Sequence, residues 1–302
     1  MANVVHRRIR SIASRLDGTM GVYVHAIATG ETVAINADQP FQMASVFKIP
    51  ILAELLSQVE AGQRSLDDRV TLTDEMKSPG SGVLKELSSG TTLTLRDLAT
   101  LMIIVSDNTA TDALLALVTK EAVNARLRAC GLERTSVSMN CRELLYNLVG
   151  MDSADDTPEA RRTALERLRR REIDPECRVY RDPGLNMTTP HEMGWLLEAV
   201  VAPTLNGAGG GNGALSPAVC RGMLDIMRRQ QVRDRLPLLL PPNVEIAHKT
   251  GSVTRVSNDA AVLYAPKSTC VVTVFTRDLA DDLKGRMAIA QVGRTVYDAY
   301  AT

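Results

Sequence analysis

The residues able to do chemistry together lie in three short stretches: Ser45-Val46-Phe47-Lys48, Ser106-Asp107-Asn108 and Lys249-Thr250-Gly251-Ser252. A serine one helical turn before a lysine shares its face, so the amine can reach the hydroxyl. A neutral or transiently neutral lysine can take that proton and leave an oxygen nucleophile. Ser45 also falls where loop gives way to helix. Its backbone N–H therefore joins the unpaired donors of a helix N-terminus, which stabilise negative charge. Lys249 and the hydroxyls beside it suit a substrate carboxylate, while Gly251 lets a substrate backbone approach closely. Ser106-Asp107-Asn108 interrupts an apolar helical pattern, and such a polar cluster needs hydrogen-bond partners if it is buried. Taken singly, each stretch has a plainer reading: two helix caps, a solvated lysine and a turn.

In this order, the three stretches resemble the active-site set of class A serine β-lactamases and penicillin-binding proteins. The resemblance implies an acyl-Ser45 intermediate, with the Ser252 N–H completing an oxyanion hole with that of Ser45, Ser106 relaying a proton to the leaving nitrogen, and Asn108 holding Lys48 and the substrate amide. It also implies a water-activating glutamate after the Ser-Asp-Asn helix, with an asparagine four positions later. Glu143 and Asn147 reproduce that spacing, so Glu143 is the expected deacylation base. The surrounding text departs from the family: Arg142 directly precedes Glu143, and the usual Glu-Leu-Asn context is absent. Arg235 and Arg255 are the candidates to join Lys249 and Thr250 around a carboxylate. The expected substrate is a small-molecule amide, a β-lactam first, and no cofactor or metal is expected. Two alternatives stand beside β-lactam hydrolysis. One is a peptidase, esterase or biosynthetic acyl-hydrolase of the same fold with a non-antibiotic substrate. The other is a non-catalytic sensor of β-lactams or peptidoglycan.

These stretches need elements to position them. Apolar spacing predicts a helix over 4–17 and a strand hairpin over 20–27 and 32–35. Helical spacing follows over 45–59, in two runs over 93–118 broken near Ser106, and over 190–201 and 216–231. Strands over 244–248, 259–264 and 270–275 precede a closing helix over 283–300. The pattern is α+β, and the resemblance implies a five-stranded antiparallel sheet flanked by terminal helices with an inserted all-helical lobe. Residues 1–44 and 214–302 would form the α/β lobe and 45–213 the helical one, with an extended active-site loop over about 140–187. Within that loop, Thr157 and Pro158 open an arginine-rich helix, read as a solvated surface helix, a lid or a basic patch. Residues 206–213 are glycine-rich but lack the lysine and hydroxyl of a phosphate-binding loop, so they read as a flexible connector.

Bulk composition narrows the classes. Basic and acidic side chains balance at 35 each, which gives no bias toward nucleic acid or an anionic membrane. No apolar run is long enough to span a bilayer. The first residues lack the apolar core of a secretory signal, which points to the cytoplasm or to a leader already removed. The five cysteines are an odd number without metal-ligand spacing and read as free thiols. There is no Gly-x-Ser-x-Gly elbow, and His6, His25, His191 and His248 form no triad pattern.

Overall fold

The computed structural model describes residues 1–153, 157–182, 184–201 and 215–301. The chain opens with α1 (Ala2–Ala13), which buries Val5, Ile9 and Ile12 and stops short of the expected residue 17. Strands β1 (Thr19–Ala26) and β2 (Glu31–Ile35) form the expected hairpin, with Gly30 at φ +69° in its turn. After β3 (Phe41–Gln42), a single 3₁₀ turn, Ala44–Phe47, feeds α2 (Lys48–Glu60). A two-stranded ribbon, β4 (Arg69–Thr71) with β5 (Thr92–Thr94), stands in a region expected to be wholly helical. Then come α3 (Leu95–Ile104), α4 (Asn108–Val118), α5 (Lys120–Ala129), α6 (Cys141–Leu148), α7 (Pro158–Arg170) and α8 (Arg178–Arg181). Strand β6 (Met187–Thr188) pairs with β3 and leads into α9 (Pro190–Val201) and α10 (Pro217–Met227). The chain closes with β7 (Ile246–Val253), β8 (Val256–Ala265), β9 (Ser268–Arg277) and α11 (Asp282–Ala301).

The main sheet is antiparallel in the order β2-β1-β9-β8-β7, so the fold is α+β as expected. Both of its faces are covered, and β9 shows why its sequence is nearly all apolar. Cys270, Val272 and Val274 join α1 and α11 on one face. Val271 and Phe275 join the helical core of α2, α3, α4, α9 and α10 on the other. Each large apolar side chain buried in this way contributes about 1.5–3 kcal/mol. One side-chain contact ties the segment before Ser45 to the sheet. Asn258 donates Nδ2 to the carbonyls of Gln42 at 2.8 Å and Met43 at 3.1 Å. Thr189 caps α9, its Oγ1 accepting from Glu192 N.

Several boundaries differ from expectation. β7 runs on through Lys249, Thr250, Gly251 and Ser252 to Val253, so this stretch lies inside a strand rather than at its end. Its residues pair one for one with β8 down to Val253 opposite Val256, which leaves no turn at Gly251. Thr157 and Pro158 do start α7, with Thr157 Oγ1 accepting from Ala160 N. The glycine-rich run 206–213 lies outside the described residues.

Candidate active site

Lys48 is wholly buried at the first position of α2. Its Nζ donates to Ser106 O at 2.8 Å, Ser106 Oγ at 3.1 Å and Asn108 Oδ1 at 2.8 Å. Burial pushes its pKa below the ordinary lysine range, while Cys141, Asp112 and Asp107 pull it back up. An amine lowered in this way gives up its proton more readily, as a base for a serine hydroxyl must.

Ser106 holds a left-handed backbone, φ +56°, at the break between α3 and α4. Asp107 caps α4 through Oδ1, which accepts from Ala110 N at 2.9 Å. Its Oδ2 accepts from Val83 N at 2.6 Å and Leu84 N at 2.9 Å. Asn108 Nδ2 donates to Pro79 O at 2.7 Å, and Asn108 N donates to Ser81 O at 3.0 Å. The polar cluster is therefore satisfied by the 78–84 loop, which it clamps in return. Gly82 is required there: with φ +101°, a Cβ would lie 2.2 Å from Asp107 Oδ2.

β7 presses against the Ser45 turn from the other side. A Cβ on Gly251 would lie 2.6 Å from Met43 O and 3.0 Å from Ser45 N. Lys249 is wholly buried and donates Nζ to Thr250 O at 2.7 Å. Burial pushes its pKa well down, the positive Lys48 and Arg235 add to this, and Asp259 opposes it. Arg235, only 3% exposed, donates Nε to Ser257 Oγ at 2.9 Å and also bonds Ser252 Oγ. The buried Asp259 accepts from Leu236 N at 3.1 Å and pairs with His248 Nδ1 at 3.0 Å, fixing the segment that carries Arg235. Of the two arginines expected near a carboxylate, the structure brings in Arg235. Arg255 sits at the β7–β8 turn, 53% exposed and 3.7 Å from Asp278.

A tight cleft of about 70 Å³ opens at Ser45, walled by Gly80, Ser81 and Asn108, by Ser252 and Val253, and by Cys141, Leu144 and Leu145 of α6. Glu143 and Asn147 are not among its walls. Residues 141, 144, 145 and 148 share one face of a helix, and 143 and 147 fall on another. Glu143 closes a capping box: its Oε2 accepts from Asn140 N at 2.6 Å and pairs with Lys120 Nζ at 2.6 Å. Asn147 Oδ1 accepts from Val179 N at 3.0 Å. Both line a separate cavity with Met139 and Met151. The sequence held a signal for this, since Asn140-x-x-Glu143 is a capping-box pattern. Cys141, Leu144 and Leu145 were not singled out from sequence, yet they face Ser45. Burial holds the Cys141 thiol well above its ordinary range, so it is neutral at physiological pH.

Among the described residues, no group of three or more His, Cys, Asp or Glu side chains could hold a metal ion. No helix among them is long and apolar enough to cross a membrane.

Known proteins share this architecture. A β-lactamase from Sphaerobacter thermophilus superimposes with a TM-score of 0.79 at 30% identity, covering 99% of this chain and 98% of that one. A mutant of PBP-A, captured as an acyl-enzyme complex with penicillin G, gives 0.77 at 25% identity over 99% and 96% of the two chains. By sequence, the chain is 25% identical to β-lactamase VEB-1 of Pseudomonas aeruginosa, over 90% of this chain and 81% of that protein. It is 27% identical to the β-lactamase regulatory protein BlaB of Streptomyces cacaoi, over 91% and 90%. The family described as "Beta-lactamase enzyme family" matches residues 4–300. With that match spanning nearly its whole length, the chain belongs to the β-lactamase enzyme family.

Proposed function

We propose that Ser45 is acylated by β-lactams and related amides, and that the resulting ester persists rather than being hydrolysed quickly. In this reading Lys48 takes the Ser45 proton as Oγ attacks the carbonyl carbon. The oxyanion that forms is held by the N–H groups of Ser45 and Ser252. The proton passes by way of Ser106 to the leaving nitrogen, and the C–N bond breaks. Lys249, Thr250 and Arg235 hold a carboxylate on the substrate, and Asn108 keeps Lys48 in place while facing the acyl amide.

One observation carries the reading of a lasting ester: α6 turns Cys141, Leu144 and Leu145 toward Ser45 and directs Glu143 to Asn140 and Lys120. An ester in that cleft meets a neutral thiol and two isobutyl groups. Among the described residues, none lining the cleft carries a carboxylate to activate water. The role is then that of a penicillin-binding or β-lactam-sensing acyl-serine protein. The likeness to BlaB, named as a regulatory protein, and to PBP-A, seen as a penicillin G acyl-enzyme, supports it. Rapid β-lactam hydrolysis is the second reading. The likeness to VEB-1 and to the Sphaerobacter β-lactamase favours it.

Intact-protein mass spectrometry after mixing with penicillin G separates the two. A stoichiometric adduct that outlasts the free antibiotic and is lost in Ser45→Ala supports the first reading. An adduct that vanishes as penicillin is consumed supports the second. No adduct and no consumption would remove β-lactams from the substrate list.

A further inference from the structure

α7 crosses the 74–86 loop and leaves between them a cleft of about 290 Å³, separate from the one at Ser45. That is close to the lower end of small-molecule sites. Arg161, Leu165 and Arg169 project into it at four-residue spacing, which places all three on one stripe of α7. Pro79 and the almost wholly buried Tyr146 join Leu165 as its apolar lining. The rim carries four cations, Lys77, Lys85, Arg161 and Arg169, against two carboxylates, Asp74 and Glu86. Lys77 pairs with Asp74 at 2.8 Å, and Lys85 pairs with Glu86 at 3.4 Å and donates to Gly82 O at 2.6 Å. Arg161 donates to Asp74 O at 3.1 Å. Arg169 has no ion-pair partner among the described residues, so positive charge is left over at one end of an apolar slot.

We propose that this cleft binds a small amphiphilic organic anion. Its apolar part lies against Leu165, Tyr146 and Pro79, and its charge faces Arg169. Apolar contact supplies the bulk of such binding and one charge-assisted contact orients it. The cleft also backs onto the Ser45 site. Pro79 O accepts from Asn108 Nδ2, and Ser78 Oγ donates to Asp112, which accepts from Cys141 N and Arg142 N. A ligand here therefore bears on the loop that holds Asn108, and through it on Lys48.

The test is fluorescence titration of the full chain with 8-anilinonaphthalene-1-sulfonate, beside its uncharged relative N-phenyl-1-naphthylamine. The expected result is one saturable sulfonate site in both wild type and Ser45→Ala, so the readout does not depend on acylation. Arg169→Glu should weaken the sulfonate about 10-fold or more and leave the neutral probe unchanged. Arg170→Glu removes a neighbouring cation that pairs with Glu166, and it should change neither. Circular dichroism checks that each variant keeps its helices. Equal weakening by both variants would mean diffuse attraction to a basic helix and overturn the proposal. So would an equal response of the two probes, or the absence of saturable sulfonate binding.

Discussion

Replacing Glu143 distinguishes a structural carboxylate from a catalytic one, because the two roles predict changes in different observables. Glu143→Ala removes the reciprocal bond from Asn140 N and the ion pair with Lys120, both at 2.6 Å. Asn140 still caps the helix, so what is lost there is one part-buried hydrogen bond, about 0.5–1.5 kcal/mol. The Lys120 pair leaves both side chains 30% exposed, so solvent screening holds its share to about 0–1 kcal/mol. Together these give a loss of about 1–2 kcal/mol, which in a chain of this size lowers Tm by about 1.5–3 °C. Glu143→Gln keeps a side chain able to serve at the third position of a capping box, so its Tm should fall less. Neither change should alter the lifetime of the penicillin adduct by more than about 2-fold. A general base, by contrast, contributes about 10²–10⁴-fold. The assay pairs thermal unfolding with adduct decay followed by intact mass. If Glu143→Gln left Tm unchanged and lengthened the adduct lifetime 100-fold or more, the reasoning from α6 geometry would fail.

Leu145→Glu places a carboxylate on the α6 face that lines the Ser45 cleft, and should shorten the adduct lifetime at least about 10-fold; an unchanged lifetime counts against the account of why the ester persists. Gly251→Ala puts a methyl 2.6 Å from Met43 O, so it should cost about 1–3 kcal/mol and slow acylation, as measured by Tm and adduct formation. With a carboxylate-bearing substrate, Arg235→Ala should lower acylation efficiency about 10- to 100-fold and Arg255→Ala by less than about 2-fold; the reverse order would exchange their roles. The buried lysines fix the sign of a pH effect. With folded pKa values below the ordinary lysine value, the unfolded chain binds more protons, so stability contributed by Lys48 and Lys249 rises with pH between those folded values and about 10.4. Lys249→Met should raise Tm near neutral pH, flatten that rise and slow acylation; a lower Tm at every pH would mean that Lys249 is stabilising.

The chemistry was legible where it depends on neighbours in sequence. Ser45 and Lys48 are one turn apart in any helix, and Asp107 caps α4 because a carboxylate directly before helical spacing has few better uses. The hairpin, α9 and the closing helix were likewise readable from apolar period alone, since their buried faces follow 2.0- or 3.6-residue spacing. From sequence, Lys-Thr-Gly reads locally as a turn, which sets Lys249 at a strand end. Pairing with β8 carries the strand past it, and only the partner strand supplies that information. The β4–β5 ribbon escaped for the same reason: each strand has three residues, too few for a period to show.

Glu143 shows what spacing alone leaves open. Glutamate and asparagine four apart lie on one face of any helix, whichever way that face points. The direction is set by the rest of α6. Cys141, Leu144 and Leu148 are its buried apolar stripe, which must face the core beside α4, and this turns residues 143 and 147 away. Asn140 reinforces the choice by drawing the Glu143 carboxylate back to the helix start. The same constraint acts on the opposite wall with the opposite result. Lys48 and Lys249 stay buried at an electrostatic cost, offset in part by Ser106 and Asn108 around Lys48 and by the Thr250 carbonyl at Lys249. In the proposed function, the lysines that serve acylation are thus held in place against their solvation, while the α6 face toward Ser45 follows ordinary packing. Under the proposed function, quick release of the ester would need a carboxylate held on the α6 wall as well, and among the described residues that line the cleft there is none.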